Sequence, residues 1–193
     1  MIDATRITQY DLFYNELEAY MIFWILAAGK NGTRAAKITN DMVAMWELLV
    51  GTVKPFKMLR MLSLDETIAK CAYYGTGCQQ AKGRSLFEIS RSGLDLRTCT
   101  AEALENIYGI GMKTARCFII HSRKDAQYAG LDTHMLKHLA SLGYEVPKST
   151  PNRKLYLTIE KIVVKLAAER KMSPAAFDLA VWNSYKVVAK TTA

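Results

Sequence analysis

The 193-residue chain lacks the patterns that mark several classes of protein. No segment of any length alternates apolar and polar residues with period two, so a half-buried β-sheet is not expected. No apolar run reaches the length of a membrane span. The longest, residues 17–28, is short, has Glu16 and Glu18 at its start, and reads as a buried helix. No signal-peptide pattern is present, and the expectation is an intracellular protein that is not secreted. Cysteine is scarce: Cys71, Cys78, Cys99 and Cys117 have gaps that fit no zinc pattern, and they read as reduced structural thiols. No set of His, Cys and carboxylate residues has metal-ligand spacing, and repeats and low-complexity tracts are absent. Acidic residues are outnumbered, 18 Asp and Glu against 26 Lys and Arg, and the net charge of +8 suits a polyanionic partner.

What is present is helical periodicity, with half the residues hydrophobic and thus enough for a core. The spacing predicts a long helix over 8–28, apolar all round at its end and therefore central. A break at Gly29-Lys30-Asn31-Gly32 precedes a second helix capped by Thr33 and running to Val50. Residues 51–62 read as a connector. Ser63-Leu64-Asp65-Glu66 is a capping box opening a helix to about Tyr74. Residues 79–92 read as a helix with Leu86 and Ile89 inward and Gln80, Lys82, Arg84 and Arg91 polar. Thr98 or Thr100 caps a short helix. Helices over 133–142 and 153–169, and one opened by Ser173-Pro174, complete the chain. The fold expected is all-α, with about nine helices.

The most informative stretch is 104–134. Ala101, Leu104, Glu105 and Tyr108 are spaced as a helix, which Gly109 stops. Gly111 sits just before a second helix, from Met112 to Ser122. The result is helix, tight Gly-Ile-Gly hairpin, helix. Backbone N–H groups at such a helix mouth lack intrahelical partners, and the helix dipole favours an anion there. A hairpin of this kind grips a nucleic-acid backbone without reading bases. Lys113 lies on the first turn beside that anion, and Leu131-Asp132-Thr133-His134 follows, with Asp132 at the start of another helix.

Gly-Ile-Gly-Met-Lys-Thr-Ala followed by Leu-Asp-Thr-His resembles the helix–hairpin–helix and Gly/Pro…Asp signature of base-excision DNA glycosylases. Val146-Pro147-Lys148, Arg153-Lys154 and the segment 177–182 resemble the C-terminal part of the compact archaeal-type 8-oxoguanine DNA glycosylase/AP lyases. The resemblance implies a single unit over 1–193 in which two helical lobes enclose a cleft. One lobe would span about 33–122 and contain the helix–hairpin–helix at 104–122; the other would combine about 1–30 with 131–193. Many members carry an iron–sulfur cluster on four C-terminal cysteines. With no cysteine after Cys117, none is expected here, nor zinc. A K⁺ or Na⁺ ion on the hairpin carbonyls of Ile107 and Ile110 is implied, and the partner implied is double-stranded DNA with a damaged base or abasic site, bound by a monomer.

The activity implied is that of a bifunctional glycosylase/lyase. It flips out a damaged base, 8-oxoguanine by the nearest resemblance, cleaves the N-glycosidic bond by lysine Schiff-base chemistry and nicks the strand by β-elimination. Lys113 stands at the position of the nucleophile and Asp132 at that of its acid partner. Burial and the positive helix end are expected to lower the Lys113 pKa. Gly109, Gly111, Met112 and Thr114, with Lys82 and Arg84, are candidates for the DNA backbone. Gly29, Lys30 and Asn31 fall on the loop that fills the hole left by the extruded base, although Gly29 has no side chain to do so. Trp24, Asp178, Trp182 and Lys190 are candidates for the base pocket. His134 reads as structural or DNA-facing, and His121 and His138 as surface or packing residues. Two alternatives stay open: the same fold acting on another modified base, and a non-catalytic DNA-binding module, for which the hairpin alone would suffice.

Overall fold

The computed structural model describes the backbone of residues 1–52 and 54–191, and the side chains of these as far as Tyr185. Among the described residues there are ten helices and no strand: α1 Tyr14–Ala27, α2 Gly32–Val50, α3 Pro55–Arg60, α4 Leu64–Tyr73, α5 Gln79–Arg91, α6 Ala101–Glu105, α7 Met112–Ser122, α8 Thr133–Ser141, α9 Arg153–Glu169 and α10 Pro174–Thr191. No described helix is long and apolar enough to cross a membrane.

α1 is the central element. Every residue from Tyr20 to Ala27 is buried, and α2, α3, α5 and α7 pack around it. It starts later than the periodicity predicts, because the Glu16 carboxylate turns back to accept the Phe13 N–H at 2.7 Å and fixes the first turn there. Residues before it run extended instead, with the Gln9 N–H donating to the His121 carbonyl at 2.9 Å. The expected connector over 51–62 contains α3. Pro55 opens it at the first helical position, and the buried Glu18 carboxylate of α1 accepts the Phe56 N–H at 2.9 Å. α4 and α5 form a tight hairpin. Ser63 and Glu66 cap α4 reciprocally as expected, and Gly83 of α5 lies so close to Ile68 that a Cβ would press on its backbone.

The buried apolar side chains form two clusters. The first runs from Ala4 to Ile119 and holds α1 with α2–α7; the second, from Ala129 to Val181, holds α8, α9 and α10. The all-round apolar surface of α1 needs helices on several sides, and in the first cluster it packs against α2, α3, α5 and α7. Ala4, in a turn closed by the Arg6 N–H on the Asp3 carbonyl, and Ile7 reach the seam between the clusters, where a cavity of about 940 Å³ opens.

Candidate active site

The hairpin between α6 and α7 forms one edge of that cavity. Thr100 caps α6 by accepting the Ala103 N–H at 3.1 Å. Gly109 ends the segment at φ 76°, and its missing Cβ lets the backbone pass directly over the Ser85 hydroxyl of α5. Gly111 is different. Its backbone is extended, φ −86°, and a Cβ would meet nothing within 4 Å, so what its bareness provides is open space in front of the N-terminus of α7. No side chain caps that terminus. The N–H groups of Met112, Lys113 and Thr114 thus face an open surface. Thr114 itself is buried, which leaves only its N–H for a backbone contact. The Ile107 carbonyl accepts the Ile110 N–H at 3.1 Å, closing the turn.

Lys113 is half-buried on the cavity wall, its Nζ 5.4 Å from the centre of the Trp24 ring. Asp132 lines the same cavity as the N-cap of α8, where its Oδ1 accepts the Met135 N–H at 2.8 Å. One carboxylate oxygen is fixed by the helix, which orients the group. Asp178 of α10 is the second acid on this wall. It accepts from Nε2 of His121 at 3.1 Å, and the Nδ1 of that ring lies 2.8 Å from the Thr8 hydroxyl. A carboxylate only accepts, so Nε2 carries a proton, and the Thr8 hydroxyl pairs with Nδ1 on the other side of the ring. The imidazole also stacks on Trp24, centres 5.3 Å apart and planes 12° from parallel.

These groups set one another's charge. Withdrawal from water favours the neutral Lys113 amine and is the largest single influence. The Cys117 sulfur, Asp132 and Asp178 act the other way and together carry the pKa above the ordinary lysine value. Burial pushes the Cys117 thiol up, against the neighbouring Lys113. The expectation of a lowered lysine pKa is corrected accordingly: burial acts as expected, but Cys117, Asp132 and Asp178 oppose it. The Asp132 carboxyl is raised by burial and then by the neighbouring Asp178, against the Met135 N–H, Lys113 and His134, which lower it.

The remaining candidates divide. Trp24 and Trp182 both line the cavity, and the Trp182 ring lies over Gly32 at the start of α2. Gly29, Lys30 and Asn31 form its rim, with Gly29 exposed at φ 66°. Asn31, however, caps α2, its Oδ1 accepting from Thr33 and Arg34, because the helix starts one residue before the expected cap at Thr33. Its side-chain oxygen is thus engaged rather than free to fill an extrusion hole. Lys30 leans over Gly77. Lys82 is corrected outright: it is 5 % exposed, and its ammonium donates to the carbonyls of Leu26 at 2.7 Å and Thr76 at 3.1 Å. It ties α5 to the end of α1 and cannot meet a phosphate. Arg84 is exposed, pairs with Glu88 and lies 4.0 Å over the Tyr108 ring, beside the hairpin. His134 stacks against Tyr185. Lys190 lies outside the residues whose side chains are described. His121, expected at the surface or in packing, is fully buried and orders the acid wall. The signal for it was its position one turn after Cys117, on the inward face of an apolar helix.

No family model matches this chain. Over 79 residues, 41 % of the chain, it is 38 % identical to an 8-oxoguanine DNA glycosylase/AP lyase of Thermoplasma acidophilum, and the match spans 37 % of that relative. In fold it is similar to the 8-oxoguanine DNA glycosylase of Thermotoga maritima, with TM-score 0.66 and 24 % identity over 88 % of this chain and 79 % of that one. It is likewise similar to the 8-oxoguanine glycosylase/lyase of Methanocaldococcus jannaschii, solved in complex with a 15mer DNA containing 8-oxoguanine. There the TM-score is 0.68 and the identity 22 %, over 89 % of this chain and 81 % of that one. The helical fold is theirs.

The two hairpin glycines should respond differently to a methyl group. Gly109→Ala forces a positive φ on alanine and a collision with Ser85, and should lower stability by roughly 1–3 kcal/mol. Gly111→Ala should change it by no more than about 0.5 kcal/mol. Urea denaturation of the two variants checks this, and equal losses would contradict the division of roles.

Proposed function

We propose that this protein is a bifunctional DNA glycosylase/AP lyase acting on double-stranded DNA, with 8-oxoguanine as its base and Lys113 as its nucleophile. The observation that carries the reading is the meeting, on one cavity wall, of a lysine at the mouth of an uncapped helix and two carboxylates from other elements. A plain DNA grip needs the hairpin only. It does not need a cavity of about 940 Å³, which has room for an extruded nucleotide, or acids that control a lysine proton.

In this reading a phosphate sits before the N-terminus of α7, on the open side of Gly111. The loop 29–31 enters the space left by the flipped nucleotide, and the base lies in the cavity against Trp24 and Trp182. The resting lysine is an ammonium and is not nucleophilic. Asp132, whose pKa is raised, takes a proton from Nζ more readily than an ordinary carboxylate does. The free amine attacks C1′ of the sugar, the bond to the base nitrogen breaks, and the proton held by Asp132 passes to the departing base. The positive charge that grows on the sugar is stabilised by the Asp178 carboxylate and by Asp132 as it gives up that proton. Ring opening gives the Schiff base between Nζ and C1′. Loss of a C2′ proton then expels the 3′ phosphate and nicks the strand. The second lone pair of the Ile107 carbonyl leaves room for a monovalent cation at the hairpin. The reading includes neither zinc nor an iron–sulfur cluster, and the protein acts as a monomer.

Lys113→Gln should bind an 8-oxoguanine duplex within a few-fold of the parent and lose strand nicking by at least about a thousandfold. Nicking by the variant at the parent's rate removes the lysine mechanism. Parent activity on other damaged bases in a lesion panel, with none on 8-oxoguanine, moves the same chemistry to another substrate.

The pH dependence has a sign. Asp178 raises both the Asp132 carboxyl and the Lys113 amine. Asp178→Asn should therefore shift the pH profile of single-turnover nicking toward lower pH at both ends. A profile displaced upward, or lowered in height without displacement, contradicts the electrostatic role given to Asp178.

A further inference from the structure

The two groups of the proposed chemistry stand on different elements. Lys113 is on α7 and Asp132 follows the extended segment 129–131. That segment is held from a third element, α9. The Tyr156 hydroxyl donates to the Ala129 carbonyl at 2.8 Å and accepts the Leu131 N–H at 3.1 Å. One turn further along the same face, Glu160 Oε1 accepts the Ala129 N–H at 3.0 Å. The same oxygen accepts from Nε of Arg116 at 2.8 Å, and Arg116 lies one turn after Lys113 on α7. Arg116 is fully buried and also pairs with Glu105 of α6, on the other arm of the hairpin. Between these clamps, Gly130 sits against Cys117, again one turn from Lys113, so closely that a Cβ would overlap the sulfur.

The bonds from α9 are thus spent on three backbone groups of the segment leading into Asp132 and on the helix that carries Lys113. We propose that Tyr156 and Glu160 are positioning residues for the Lys113–Asp132 pair, holding residues 129–131 against α7 so that the carboxylate faces the amine. Neither residue lines the cavity; Tyr156 is fully buried and Glu160 is 7 % exposed. The inference rests on the glycosylase/lyase reading and adds to it the device that sets its geometry. Displacement of a reacting group by about an ångström costs up to a hundredfold in rate while leaving binding intact.

The test compares Tyr156→Phe, Glu160→Gln and Glu160→Ala with the parent. Three quantities are read below the melting temperature of each: the single-turnover rate of borohydride trapping on an abasic duplex, the Kd for that duplex without borohydride, and the fraction folded. Tyr156→Phe removes one hydroxyl and both of its bonds to the segment. It should trap on the order of 10- to 100-fold more slowly, with Kd within about twofold of the parent and the protein fully folded. Glu160→Gln keeps a carbonyl oxygen for the Ala129 N–H and should retain more of the rate than Glu160→Ala. If Glu160→Ala does not fold, Tyr156→Phe decides alone. A folded Tyr156→Phe that traps at the parent's rate overturns the inference, even if its melting temperature has dropped, because the hydroxyl then only stabilises. A rate loss matched by an equal loss of affinity overturns it too. If the parent itself traps no DNA, the lyase reading fails and this inference with it, an outcome distinct from normal trapping by parent and variant alike.

Discussion

A cation on the first turn of a helix sits at the wrong end of the dipole, at a cost of about 0.3–1 kcal/mol, and partial burial adds to it. Lys113 occupies such a place. The charge is held there by Cys117 on its own helix and by acids from two other elements, Asp132 before α8 and Asp178 on α10. Much of the surrounding structure follows from keeping those acids in place. Asp132 is oriented by the N–H of its own helix, and Asp178 by His121, which is held in turn by Thr8 and the face of Trp24. The arrangement holds an ammonium beside a carboxyl whose pKa burial and Asp178 raise. A nucleophile needs such an arrangement, and a surface lysine gripping phosphate does not.

The cavity exists because the chain forms two apolar clusters rather than one. α1 lies in the first, yet its inner end supplies Trp24 to the cavity, and the loop after it forms the rim. α7 does the most joining. It contributes the open N-terminus, Lys113, Arg116, Cys117 and His121, so one helix of 11 residues faces the hairpin, the acid wall and the clamp from α9 at once. Its burial from Thr114 to Ser122 gives it a fixed position from which these groups can act.

Most of the helices were legible from period and caps. Ser63 with Glu66, Thr100 and Ser173 all stand where the chain turns into a helix, whereas the helix expected to run up to Gly109 ends at Glu105. Lys113 and Asp132 were legible because a motif fixes their spacing, and the structure puts both on one cavity. Lys82 was read as polar surface although it shares a face with Leu86 and Ile89, at offsets of four and seven. That face is buried, and the side chain finds carbonyls of Leu26 and Thr76 that no local pattern announces. Glu160 sits in the same way on the stripe of Tyr156, Val163 and Ala167. A charge on an apolar stripe was the available signal in both. Its partners, Arg116 and Ala129, lie far off in sequence, and only the folded chain brings them together. The lysine pKa was misjudged for a related reason: burial is written in the local pattern, whereas of the groups that oppose it, Cys117, Asp132 and Asp178, the last arrives from 65 positions away in sequence.

The proposed chemistry rests on one nitrogen atom. The direct measurement is to trap the protein on an abasic duplex with borohydride, digest the adduct and locate the sugar remnant by mass spectrometry. The account predicts the remnant on the peptide that contains Lys113, bonded to its Nζ. A remnant on Lys30, Lys190 or any other lysine would contradict it.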